Sequence, residues 1–359
     1  MTRSTLSATL PQMKVVSMGL RVGLTYNLKT DCPPEMRTSE DAGAEYESQE
    51  TVEDIAQALE ELGHQVILLP YNEMLPRQLA EVRVDIVFNI AEGWFGRNRE
   101  SLVPALLEFY NVPYTGSDPL TLGLTLDKAL CKQVVNAAGV PTADGIVVTN
   151  PVDDRLAQLE YPVFIKPNAE GSSKGVRSWS KADDPLELRE KLTWVLETYR
   201  QPVLVEEFLP GREFTVALIG NGTPRVLPVM EVLPGDQCPQ DAGFIYSFEV
   251  KSGNLERFSC PAAVDSQLLE KIQEMALQVF TAVGCRDIGR IDIRLDREGN
   301  PRFLEINPLP GLSRVSLLPL QAQAAGMSFA ELIEAILSAA ISRYSHLNSG
   351  FFLKEAAFS

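Results

Sequence analysis

The sequence predicts an α/β protein of three units, the first of them a doubly wound parallel sheet. Two observations carry this. Apolar residues alternate between strand-like and helix-like spacing up to Ile90, which implies parallel strands joined by helices. Beyond a turn cluster at Tyr114 to Pro119, two further stretches combine strands, single helices and hairpin signals. The chain has 359 residues, 45% of them hydrophobic, enough for two or three domains with sizeable cores.

Arg21 to Tyr26 reads as the first strand. Ile55, Ala58, Leu59 and Leu62 mark an amphipathic helix closed by Gly63. Gln65 to Leu69 and Val84 to Ile90 are the next strands. No glycine-rich dinucleotide fingerprint comes after the first strand, which disfavours dinucleotide binding there. Asp118 and Pro119 are a cap and a first helical position, opening a helix expected to end at Gly139.

The second unit runs from Val140 to about Leu209. It holds strands at Pro162 to Lys166 and Val203 to Glu207, with a Gly/Ser loop and a helix between. Phe214 to Ile219 and Arg225 to Leu233 flank Asn221-Gly222, a two-residue hairpin signal. Pro234 to Pro261 reads as a long irregular loop of the kind that closes over active sites. Leu268 to Val283 is helical, and a last helix is expected near Phe329 to Tyr344. The unit boundaries expected are 1–115, 116–209 and 210–345, with a tail over 346–359 and a loose N-terminal arm over Met1 to Met18.

Composition narrows the function. The formal net charge of −16 disfavours nucleic acid and anionic membrane as partners. No apolar run is long enough to span a bilayer, and the first residues lack a signal-peptide core. Five scattered cysteines without a C-x-x-C argue for a reducing cytoplasm and against a zinc site. The only histidines, His64 and His346, read as surface positions, so histidine acid/base chemistry has little to draw on.

The chemistry concentrates in a late hairpin. Arg290 to Leu295 and Arg302 to Asn307 alternate polar and apolar residues around a loop at Asp296 to Pro301. Pairing Leu295 with Arg302 sets Asp292 opposite Glu305, with Cβ atoms roughly 5 Å apart, a destabilising placement for like charges. A hard cation removes the conflict, and Asn307 shares the face of Glu305. Two carboxylates and an amide oxygen suit Mg²⁺. Arg290 lies on the same face. The competing reading is an exposed hairpin with solvated charges. The stretch after Asn307 favours a site: Pro308 to Ser313 is a rigid turn able to present backbone N–H groups near Ser316.

Val163 to Pro167 is an apolar strand ending in Lys166, with Gly171-Ser172-Ser173-Lys174-Gly175 beyond it. Such a loop lets backbone and hydroxyl groups approach a phosphate. Lys128 and Lys251 are further candidates for phosphate, although each also reads as a solvated lysine. Glu206 and Glu213 read as acceptors for an adenine amino group and ribose hydroxyls, or as solvated loop acids, with Phe164 or Leu209 as an apolar wall.

These residues together resemble the ATP-grasp superfamily and, within it, the D-alanine–D-alanine ligase family. The carrying segments are YTGSDPLTLGLTLDK (114–128), FIKPNAEGSSKGV (164–176), VEEFLPGREFTV (205–216), RIDIRLD (290–296) and LEINPLPGLSRVSLLP (304–319). The resemblance implies three domains with ATP gripped between the second and third. It implies nucleotide contacts from Lys128, Lys166, Ser173, Glu206, Glu207, Leu209 and Glu213. It implies Mg²⁺, with Mn²⁺ as a substitute, on Asp292, Glu305 and Asn307. Arg290 falls on the arginine that steadies the acyl phosphate and tetrahedral intermediates. Gly311 and Ser316 fall on substrate-binding groups, Ser172 on the serine that orients the amine, and Lys251 on the γ-phosphate lysine of the mobile loop, 234–261.

The implied activity joins two amino acids through an acyl phosphate, releasing ADP and phosphate, in cell-wall synthesis. A ligase for other amino acids and a non-catalytic nucleotide-binding module are the alternatives. Small amino acids are the implied partners, and a homodimer is common in the family. Three departures touch the amino-acid pockets. Asn89 to Glu100 replaces a His-Gly and Gly-Glu-Asp-Gly stretch, and Ser252 stands where a tyrosine is usual. Leu24 to Lys29 and a longer insertion replace the usual acid-bearing segment, leaving Glu45 or Glu47 to supply the missing acid.

Overall fold

The computed structural model describes residues 19–37, 39–239 and 243–347. The expected N-terminal arm and most of the tail lie outside them. Three sheets organise the chain.

The first sheet is parallel, in the order β2-β1-β3. It holds β1 (Arg21–Tyr26), α1 (Gln49–Glu61), β2 (Gln65–Pro70), α2 (Leu75–Glu81), β3 (Ile86–Ile90) and α3 (Leu102–Phe109). Ser48 caps α1 by accepting from the Thr51 N–H. Val22, Leu24, Ile86 and Phe88 face α1, whereas Leu69 and Val87 face α2 and α3, so helices cover both sides. His64 is half-buried rather than on the surface, and its Nδ1 accepts from the Leu20 N–H at 3.1 Å.

The expected single helix over 119–139 is two, α4 (Pro119–Leu126) and α5 (Lys128–Ala137). Asp127 leaves the helical conformation at ψ 95° and its side chain caps α5 by accepting from the Leu130 N–H. Aspartate competes with the helical backbone for N–H groups, so it breaks one helix to start the next. The break puts Lys128 at the first turn of α5, buried rather than solvated.

The second sheet, β4-β7-β5-β6, is antiparallel. It comprises β4 (Gly145–Val148), β5 (Val163–Pro167), β6 (Lys181–Ala182) and β7 (Val203–Glu207), covered by α6 (Pro185–Tyr199).

The third sheet contains β8 (Glu213–Ile219), β9 (Arg225–Val226), β10 (Met230–Pro234), β11 (Glu256–Ser259), β12 (Ile288–Leu295) and β13 (Pro301–Asn307). α7 (Phe248–Gly253) precedes β11, and α8 (Ser266–Ala282) packs on the sheet through Ile272, Ala276 and Val279. α9 (Leu317–Ala324) leads to α10 (Phe329–Ser342), which packs on α1 and the first sheet as well as β8. No single helix among the described residues is long and apolar enough to cross a membrane.

Three further expectations are corrected. Ile219 pairs with Arg225, so the hairpin connection is longer than two residues. The Asn221 side chain is drawn away to donate to Asp287 at 2.8 Å and to the Ala339 carbonyl at 2.9 Å. The strand expected over Arg225 to Leu233 is split into β9 and β10, with Pro228 between them unable to donate to a ladder. The segment after Pro234 is not irregular throughout: α7 and β11 lie in it, and Val232, Cys238, Phe244 and Val250 form a small core.

Candidate functional site

Asp292 pairs with Glu305, and Arg290 with Asn307, on β12 and β13. The far end of the hairpin is one residue out of the expected register, with Leu295 opposite Pro301 and Arg294 opposite Arg302. A β-bulge between Asp292 and Ile293 restores the expected pairing at the acids. Asp292 accepts from Arg290 Nε at 3.0 Å, Thr215 Oγ1 at 2.6 Å and Asn307 Nδ2 at 3.1 Å. Glu305 pairs with Lys128 Nζ at 2.8 Å. The opposed acids are thus neutralised by Arg290 and Lys128 within the protein, not by a metal alone. Burial opposes ionisation of Glu305, but Lys128 and Lys166 overcome it and hold the carboxyl at about 2.

The donor set still fits a hard cation. It offers only oxygen ligands, two carboxylates and an amide, which leaves room for water and phosphate oxygens around Mg²⁺. Among the described residues no group of three or more His, Cys, Asp or Glu could hold a metal by itself. A metal here would share its shell with a ligand.

Between the second and third sheets lies a cavity of about 110 Å³, lined by Phe164, Lys166, Ser173, Glu206, Leu209 and Glu213. Glu207, exposed at the end of β7, also borders it. Glu206 is buried and pairs with Lys166 at 2.6 Å and Lys132 at 2.7 Å, so both its oxygens face lysines. Glu213 pairs with Arg294 at 3.0 Å, while burial pushes its carboxyl pKa upward. The Phe164 and Phe208 rings stand 6.3 Å apart and build an apolar wall with Leu209.

The glycine loop closes one side of this cavity. Ser172 and Ser173 adopt φ of 50° and 58°, the left-handed region. Ser173 Oγ donates to the Tyr246 carbonyl at 3.2 Å, tying the loop to the segment before α7. The Gly171 N–H donates to Glu45 at 2.6 Å and the Gly175 N–H to Asp41 at 2.8 Å. Gly175 has φ +76°, and a Cβ there would come within 2.3 Å of the Pro167 ring. Arg99 and Lys174 complete this buried cluster, with Lys174 Nζ 2.8 Å from Glu170 and Arg99 paired to Glu45.

A second cavity, of about 740 Å³, is lined by Glu47, Ser252, Asn307, Gly311 and Ser316. That volume suits small ligands with room to spare. The two cavities share Lys128, Ser172, Lys251 and Arg290. Burial and Arg290 lower the Lys251 ammonium to about 8. Ser316 Oγ hydrogen-bonds with Ser313 Oγ at 2.7 Å, and Gly311 lies beside it. Glu45 is committed to Arg99 and Gly171, whereas Glu47 is half-buried with its carboxyl pKa raised by burial.

The structure therefore gathers every residue singled out from the sequence around two joined cavities. Sequence reasoning missed Lys132, Asp41, Arg99 and Glu170. Lys132 had a signal: Lys128, Cys131, Lys132 and Val135 are a helical stripe at i, i+3, i+4 and i+7, and all four are buried. The other three pair across long sequence separations and left no local pattern.

Two antiparallel sheets closing on a lysine-lined cavity beside a paired-acid hairpin define an ATP-grasp protein. The D-ala D-ala ligase C-terminus family model matches residues 134–338. The D-alanine–D-alanine ligase of Aquifex aeolicus is 33% identical over 293 residues, covering 81% of this chain and 94% of that one. An uncharacterized protein, y4sG, of Sinorhizobium fredii is 38% identical over 307 residues, covering 81% and 88%. The fold matches the ATP complex of D-alanine–D-alanine ligase from Bacillus anthracis with a TM-score of 0.70, at 23% identity, covering 90% and 98%. The chain belongs to the D-alanine–D-alanine ligase family.

Proposed function

We propose that the chain is an ATP- and Mg²⁺-dependent ligase joining two amino acids, with D-alanine as the substrate of first choice. One amino-acid carboxylate attacks the γ-phosphorus of ATP, giving an acyl phosphate and ADP. The amine of the second attacks the acyl carbon, expelling phosphate and losing a proton. The observation that carries this reading is the junction of the two cavities at Lys128, Ser172, Lys251 and Arg290. It brings a nucleotide-sized groove and an amino-acid-sized chamber to one set of cations.

Lys166 and the amides of the glycine loop bind phosphate oxygens, and Leu209, Phe164 and Glu207 border the base. Glu206 keeps Lys132 and Lys166 in place, and Glu213 lies towards the ribose. Lys251 and Arg290 offset charge on the transferring phosphoryl group and on the tetrahedral oxyanion. The Gly311 amide, Ser316 and Ser172 orient the amino acids. Asp292, Glu305 and Asn307 would hold Mg²⁺, or Mn²⁺ in its place. Bound metal neutralises phosphate charge and polarises the phosphoryl oxygens. The segment from Pro234 to Pro261 covers the chamber and excludes water from the acyl phosphate. Five free thiols and the ATP requirement support a cytoplasmic setting.

ADP release with ATP, Mg²⁺ and a panel of D- and L-amino acids, with the dipeptide identified by mass spectrometry, tests the reading. Amino-acid-dependent ADP and a dipeptide product are expected. ADP formation indifferent to every amino acid would overturn it.

A further inference from the structure

One corner of the larger cavity takes no part in the roles assigned to the other residues. Glu92 and Glu100 both line it. Glu100 is only 8% exposed. Among the described residues, neither carboxyl makes a hydrogen bond or an ion pair. Burial raises both pKa values, Glu100 to about 7, and each acid feels the other or its acidic neighbours. Two buried acids facing one space without a partner form a seat for a cation. They are too few to hold a metal, and the described residues contain no larger acidic ligand group.

The acids expected to fill this role do not. One Glu45 oxygen is taken by Arg99 and the Gly171 N–H. The other is sealed from solvent. Glu100 instead stands near Lys128, whose Nζ is 2.8 Å from Glu305 at the reacting end. An α-amino acid carries its ammonium one carbon from its carboxylate. A carboxylate drawn to Lys128 and Arg290 therefore brings the ammonium to the Glu100 corner.

We propose that Glu92 and Glu100 seat the ammonium group of the amino acid whose carboxylate is phosphorylated, and so select amino acids over hydroxy acids at that position. This rests on the ligase reading. The groups around Glu100 are Arg99, Glu45, Lys128, Glu170 and Glu92. Arg99 is committed to Glu45 and Glu170, and Lys128 to Glu305, so a substrate ammonium is the counter-charge that the corner lacks.

The test compares wild type, Glu100→Gln and Glu92→Gln for ADP release with D-alanine and with D-lactate. ATP KM and the thermal melt serve as controls. Loss of a hydrogen bond to a charged group should raise the D-alanine KM about tenfold or more, with ATP KM unchanged. The preference for D-alanine over D-lactate should collapse. In wild type the D-alanine KM should fall as pH rises through about 7, and this dependence should vanish in Glu100→Gln. Glu92→Gln, at the more open edge, gives the readout should Glu100→Gln lose its fold. An unchanged D-alanine KM in folded variants, or an equal loss for D-lactate, overturns the proposal. Wild type without amino-acid-dependent ADP overturns the ligase reading instead.

Discussion

Asp41 accepts a hydrogen bond from the Gly175 N–H at 2.8 Å, so a segment beside the first sheet holds one end of the glycine loop. The same carboxylate accepts from the Tyr199 hydroxyl at 2.6 Å and lies 3.3 Å from Arg177. Asp41→Asn keeps the shape and removes the charge. Stability should drop by about 1–3 kcal/mol, read from urea unfolding. ATP KM should rise more than kcat falls, because the loop binds nucleotide and does not itself react. A variant with wild-type stability and wild-type ATP KM would remove Asp41 from this role.

Glu206 lies between Lys132 and Lys166 with 2% of its surface exposed. Glu206→Gln leaves two buried lysines with no carboxylate between them, a loss of about 3–5 kcal/mol by analogy with other broken buried pairs. Lys132 already has its pKa lowered by burial. Deprotonation therefore relieves the variant, and its deficit should shrink as pH rises. A deficit that grows with pH in chemical denaturation contradicts this role for the lysines.

Glu305→Gln should leave the fold intact and reduce turnover by more than about 100-fold, beyond the effect usual for groups that only orient a metal ligand. The thermal shift given by Mg²⁺ with ADP should shrink together with activity. Normal turnover in this variant would end the metal assignment.

Lys251 titrates at about 8 because burial and Arg290 both disfavour its ammonium. The charged form, present below that value, is the one that offsets phosphate charge. kcat/KM should therefore fall as pH rises through about 8, and Lys251→Arg should move the alkaline limb upward. An identical limb in the arginine variant assigns the ionisation to another group.

The hairpin with Asp292 and Glu305 was legible because strand alternation and a loop sequence set which residues face each other. The register at its far end was not, since a bulge depends on contacts with β8 as well as β13. The break at Asp127 was readable as a cap signal but was masked by the apolar spacing on either side. Lys132 was hidden by the general rule that lysines are solvated. The partners of the glycine loop, Glu45 and Asp41, come from more than a hundred residues upstream, at separations of 126 and 134. No local pattern encodes such a pairing. The order in the segment after Pro234 rests on Phe244 and Val250 packing with Val232, which polar neighbours obscured.

The irregularity between Asp292 and Ile293 has an engineering consequence. Inward of it, β12 is pinned on both sides, to β8 and to β13; outward, the hairpin runs on a different step. The tip at Asp296 to Asn300 is thereby mechanically insulated from the acids. Residues grafted or deleted there would lengthen or shorten the tip while the two carboxylates kept their positions, making it a tolerant place to attach a fluorophore or an affinity tag.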